Sequence, residues 1–143
     1  TTGVLLHRPT SGALHLAAAD GGGVSLRRWN ADGCVLGCFD QDPVATLPAP
    51  ATRAVESFSS SGKDFVVVAC YAEGSPELDE IVAYEVDSLV YLVDYATGAF
   101  TMIQPLATAG ASALLVFSPP DDPAGAPYLA VANYRSAAGL AGS

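Results

Sequence analysis

The densest run of groups able to do chemistry is acidic: Glu77, Asp79, Glu80, Glu85 and Asp87 fall in one short stretch. Oxygen-rich loops of this kind bind Ca²⁺, which takes six to eight carboxylate and carbonyl ligands. The spacing lacks the D-x-D-x-D-G regularity of a calcium loop, so a solvated loop is the stronger reading. Glu77, Asp79 and Glu80 are the candidate ligands, and no cofactor is expected. Glycoside chemistry needs two carboxylates facing each other across a bond, and a single acidic loop does not supply that. His7 and His15 are the only histidines and stand in no HExxH pattern, so structural or surface roles are expected for both. Ser11, Ser57, Ser112 and Ser118 occupy no GxSxG elbow, and the chain is read as non-catalytic.

Three cysteines, Cys34, Cys38 and Cys70, cannot all pair within the chain. On the strand expected over Cys34 to Phe39, Cys34 and Cys38 would share a face but lie roughly 13 Å apart. A disulfide needs Cα atoms within about 7 Å, so that pair requires a turn between its members. Cys70 meeting Cys34 or Cys38 across neighbouring strands is the alternative, as are free buried thiols, and the spacing is not that of a zinc site. Trp29, Tyr71, Tyr95 and Tyr134 close strand-like runs. Aromatic residues so placed serve as anchors on binding surfaces or as packing between repeats. Asp121 and Asp122 read as a solvated loop tip, and Asn133 as a structural group bonding backbone in its own loop.

The elements that would position these groups are strands. Short β-rich runs alternate with Gly, Pro and Asx turns, and no segment keeps a helical apolar period. The run IQPLATAGASALLVF, a Pro/Gly loop and YLAVANY, from Ile103 to Tyr134, has a weaker copy in Leu47 to Tyr71. Phe58 and Phe117 stand at equivalent places, as do Phe65 and Tyr128. A third partial copy aligns Leu14 with Phe65 and Tyr128, Val24 to Gly33 with Leu89 to Gly98, and Trp29 with Tyr95. The insert Glu73 to Val82 is expected to be exposed and to hold at most one helical turn. Fixed-period self-similarity of roughly 60 residues with four strands per unit matches a propeller blade. The expected fold is all-β: four-stranded antiparallel repeats forming consecutive blades of a partial β-propeller. Residues 1–12 would end a preceding blade, 13–62 and 63–126 form two blades, and 127–143 begin a further blade or a tail.

The chain has 143 residues, half of them hydrophobic, and a formal net charge of −9. That length and apolar content support a real core. Six Lys and Arg against fifteen Asp and Glu argue against binding nucleic acid, which requires a basic surface. The longest apolar runs are far short of the ~20 residues of a spanning helix, so no membrane insertion is expected. The chain does not begin with Met and shows no leader, which reads as a mature or excised segment.

The stretch GAFTMIQPLATAGASALLVF followed by YLAVANY, with the Trp29-Asn30 to Gly33 hairpin, resembles the epilepsy-associated repeat, also called the EPTP repeat, of the leucine-rich glioma-inactivated proteins. Gln104, Thr108, Gly110, Ala111 and Tyr128 through Asn133 carry the likeness. The second copy departs at Cys70, in the place of Asn133, and at Arg53-Ala54, in the place of Gly110-Ala111; the first has Ala19 in the Asn position. The resemblance implies a seven-bladed propeller acting as a non-catalytic, extracellular or cell-surface module for protein–protein interaction or adhesion. Its partners would be other proteins or further blades. An enzyme or carbohydrate-binding propeller using the acidic loops is the alternative.

Overall fold

The computed structural model describes residues 2–75 and 80–134, with backbone alone at 73–75 and 80–82. The described residues form β-strands and turns with no helix, as the alternation of apolar residues requires. Sheet I is an antiparallel meander of β1 (Gly3–His7), β2 (His15–Asp20), β3 (Gly23–Asn30) and β5 (Ala45–Pro48), with the short β4 (Cys38–Phe39) on the far end of β3. Sheet II repeats the plan with β6 (Thr52–Ser60), β7 (Lys63–Cys70), β10 (Ser88–Val93) and β11 (Phe100–Leu106). A hairpin, β8 (Glu73–Ser75) and β9 (Glu80–Ala83), is inserted between β7 and β10, and β12 (Ala111–Phe117) pairs with β13 (Tyr128–Asn133) as a third sheet. Among the described residues the sheets do not close into a barrel or a ring.

The sheets stack face to face. Ala17, Ala19, Val24, Leu26 and Leu47 of sheet I pack on Val66, Val68, Cys70, Tyr91 and Val93 of sheet II. Each large aliphatic side chain withdrawn from water there contributes about 1.5–3 kcal/mol. Val66 through Cys70 are all fully buried because β7 is covered on both faces, by sheet I and by β12. A strand covered on both sides has no solvent face to alternate toward, which is why this segment reads as an unbroken apolar run. β6 lies between β1 and β12, so the first strands of the three sheets are neighbours.

Register shows how far the sheets repeat. Sheet I carries the row Ala17–Leu26–Ala45, and sheet II the row Val67–Val90–Gln104 at the corresponding place. The first hairpin of each sheet holds a cross-strand ring pair: His7 with His15, Phe58 with Phe65, Phe117 with Tyr128. Their centroid separations are 6.0, 4.8 and 6.0 Å. β6 and β12 each carry a register shift near their start, between Thr52 and Ala54 and between Ala111 and Ala113.

Several expectations are corrected here. His15, not Leu14, matches Phe65, and Leu26 matches Val90, so the first-copy alignment was one residue out. Such a slip moves every side chain to the opposite face. It also separates Trp29 from Tyr95, since Trp29 now matches Val93. Thr52 pairs with Cys70 as Ala111 pairs with Asn133, so Ala51-Thr52, not Arg53-Ala54, stands where Gly110-Ala111 does. Ala51 and Gly110 both have positive φ, 44° and 65°. The expected divisions also move. β1 bonds to β2 rather than ending an earlier unit, and residues 60–63 and 118–127 are hairpin loops inside sheets. The sheets part between Pro48 and Thr52 and between Leu106 and Ala111. The described residues of the insert form the paired strands β8 and β9, and Cys34 lies in a turn before β4. The tail beyond Tyr134 lies outside the described residues.

Candidate functional site

The most chemically loaded place is the junction of sheets I and II at the His7–His15 pair. β1 and β2 alternate so that both imidazoles face sheet II, where Tyr95, just past β10, meets them. The ring centroids lie 5.5 Å from His7 and 4.6 Å from His15. His7 Nε2 and the Tyr95 hydroxyl share a hydrogen bond of 2.6 Å. His15 Nδ1 donates to the Ala13 carbonyl at 2.9 Å, and its Nε2 is buried without a hydrogen-bond partner. Beside them Asp64, at the start of β7, accepts from Thr10 N at 2.9 Å, Thr10 Oγ1 at 2.8 Å and Ser59 Oγ at 2.6 Å. Thr10 belongs to the β1–β2 loop, so this carboxylate ties sheet I to sheet II.

Burial controls the protonation of the group. It lowers His7 from 6.5 to about 4, assisted by the charge of His15 and opposed by Asp64. Burial, with Asp64 next, raises the Tyr95 phenol. The arrangement holds the His7 ring neutral at a packed junction. With the His7 pKa depressed by folding, the unfolded chain binds more protons between pH 6.5 and about 4. Stability is therefore complete above pH 6.5 and falls as the pH drops through that window. Discounted for partial exposure, the expected loss is about 1–2 kcal/mol. In the His7→Phe, His15→Phe double variant, which copies the Phe58–Phe65 pair, this slope should flatten. Melting temperatures between pH 4 and 8 check it, and an unchanged slope would assign the acid sensitivity elsewhere.

The second cluster is aromatic. Tyr71 and Tyr134, expected as anchors, come together at the exits of β7 and β13, with centroids 5.9 Å apart. Tyr84 completes the group at 5.4 and 5.6 Å from them, and the Arg53 guanidinium sits 4.4 Å from the Tyr71 ring centre. Burial, then the neighbouring Tyr84 and Tyr134, raises the Tyr71 phenol. The other two expected anchors lie elsewhere. Tyr95 is buried in the junction, and Trp29 is partly exposed, edge-on to Phe39 at 5.1 Å.

Cys34 and Cys38 form a disulfide with Cα atoms 5.6 Å apart, because the turn that such a pair needs is present. The ring presents Val35 and Leu36 almost wholly to solvent, a feature that sequence pattern did not single out. Closing so short a loop contributes about 2 kcal/mol in the chain-entropy view. Cys34→Ser, Cys38→Ser should cost that much in urea denaturation, and reductant should reproduce it in the parent. Cys70 is free and buried, and burial followed by Asp87 pushes its thiol up to about 11, far from a reactive thiolate.

Of the acidic stretch, Glu77 and Asp79 lie outside the described residues, as does the side chain of Glu80, while Glu85 and Asp87 are exposed. Among the described residues no three His, Cys, Asp or Glu side chains gather as metal ligands, and no helix is long and apolar enough to cross a membrane. Asn133 accepts from Ala109 N at 3.1 Å, so it bonds backbone in the segment before β12, 24 residues away, and not in its own loop as expected. Comparison of the chain with family models and with the curated proteins returns no match.

Proposed function

We propose that this chain is a non-catalytic protein-interaction module whose stacked sheets are successive blades of a propeller-type repeat, displayed at the cell surface or outside the cell. The observation that carries it is the recurrence of one register, with a ring pair in the first hairpin, through three sheets stacked side by side. Repeats of this kind build broad surfaces from interchangeable units. The His7–Asp64–Tyr95 junction supports a structural role: its carboxylate is saturated by three donors and its histidine is held neutral. The Cys34–Cys38 bond accords with an oxidising compartment. Exposed Val35, Leu36, Leu115 and Phe117 supply apolar contact surface of the kind partners cover.

A binding screen of the folded chain against an array of secreted and cell-surface ectodomains tests the reading. Saturable binding is expected, weakened by Leu115→Asp or Leu36→Asp and indifferent to His7→Phe. Turnover of a glycoside or ester substrate that disappears in Asp64→Asn would overturn it in favour of an enzyme.

A further inference from the structure

Sheets I and II make their second hairpin differently. In sheet II a tight turn joins β10 to β11, closed by backbone bonds from Asp94 N to Ala99 O and from Gly98 N to Asp94 O, both 2.8 Å. In sheet I the chain leaves β3 at Asn30 and reaches β5 only at Ala45. β5 pairs with Gly23 to Leu26, while the two residues of β4 pair with Trp29 and Asn30. The excursion is held by the Cys34–Cys38 bond and by the Arg28–Asp40 ion pair at 3.6 Å. The sister hairpin closes with no covalent clamp, so a hairpin at this place does not require one.

The two sulfurs are unequally placed. Cys34 is exposed, whereas Cys38 is partly buried. A Cβ added at Gly33 would lie 3.0 Å from Cys38 Sγ and 3.2 Å from the Asn30 side-chain amide, so that sulfur packs into the β3–β4 turn. Gly37, inside the ring at φ 83°, lies against the indole of Trp29, where any Cβ would collide. Val35 and Leu36 are held in solvent, and the paired Trp29 and Phe39 stand at the base of the loop.

We infer that the Cys34–Cys38 bond is a redox switch, opened in the folded protein by an external dithiol, and that it holds Val35 and Leu36 in solvent only while closed. Exposed disulfides are the ones that exchange. A thiolate of the dithiol attacks Cys34 Sγ, the accessible sulfur. The Cys34–Cys38 bond breaks, and Cys38 leaves as a thiolate that takes up a proton. The second thiol of the reductant then attacks the mixed disulfide, which frees Cys34 as a thiol and leaves the reductant as its own disulfide. Two electrons and two protons pass to the protein. With the ring open, the loop loses its constraint, and the hydrophobic effect draws Val35 and Leu36 onto Trp29 and Phe39. Cys70 is buried and takes no part. The inference goes beyond the interaction-module reading and does not rest on it.

Dithiothreitol added to the folded full chain is the probe, and Trp29, the single tryptophan, is the reporter. Emission should rise as the disulfide leaves the indole, and its maximum should move to shorter wavelength as the apolar tip closes over the ring. Iodoacetamide should then label Cys34 and Cys38 but not Cys70, with the amide spectrum of sheet II unchanged. Among single variants, the Cys34 thiol in Cys38→Ser should react with an aromatic disulfide reagent about tenfold faster than the Cys38 thiol in Cys34→Ser. The Cys34→Ser, Cys38→Ser double variant should show the reduced-state emission from the start and no response to dithiol. Reduction that needs denaturant, Cys70 labelled at the same rate, or loss of the sheet II spectrum would make the bond a structural staple and overturn the inference. Unchanged or red-shifted emission after full reduction would overturn it too, as would equal reactivity of the two single variants.

Discussion

Asp64→Ala is expected to destabilise the fold by about 3 kcal/mol, lowering the melting temperature by roughly 10 °C. The carboxylate is 8% exposed and accepts three hydrogen bonds. Bonds to a charged acceptor are worth about 1.5–3 kcal/mol each, but they are not additive, and Thr10 and Ser59 regain some water when it is gone. What remains is the cost of unpaired donors at a junction that water enters poorly. Asp64→Asn keeps one carbonyl acceptor and should recover about half of the loss. Urea denaturation with both variants makes the comparison. If alanine and asparagine were equally mild, sheets I and II would be held by the apolar cluster alone and Asp64 would be incidental.

Gly23→Ala should be comparably severe, and Gly62→Ala mild. Gly23 has φ 152°, and an added Cβ would lie 2.2 Å from the Leu47 carbonyl oxygen, an atom of the neighbouring strand that cannot step aside. Backbone strain of about 1–3 kcal/mol and overpacking of about 1–3 kcal/mol together predict a loss near 3 kcal/mol. Gly62 has φ 76° in the β6–β7 turn, with nothing within 4 Å of the added carbon. There only the strain acts, roughly 1 kcal/mol. The same denaturation midpoints measure both. Equal losses would show that conformation, and not contact with β5, is what the glycine serves.

These two effects mark where the sequence stops informing. Both glycines read as turn residues, because turn chemistry is local. The approach of Leu47 to Gly23 depends on β5 folding back onto β3, which no local pattern encodes. The same holds for Asp64, which gives no sign in the sequence of meeting Thr10, 54 residues away. His7 and Tyr95, 88 residues apart, share their hydrogen bond only because two sheets stack.

The sequence by itself determined the all-β character, the strand runs and the equivalence of Phe58–Phe65 with Phe117–Tyr128. Alternation, Gly/Pro/Asx turns and a recurring unit are carried by neighbours along the chain. It missed the register of the first copy by one residue: the run Ala17 to Ala19 aligns almost as well either way, and hydrogen bonding across β1, β2 and β3 decides between them. Tertiary structure alone decided that Cys34 and Cys38 sit on a turn and pair. It also gathered Tyr71, Tyr84 and Tyr134. Those outcomes depend on which surfaces meet, and surfaces from distant segments meet only when the apolar faces of whole sheets are buried together.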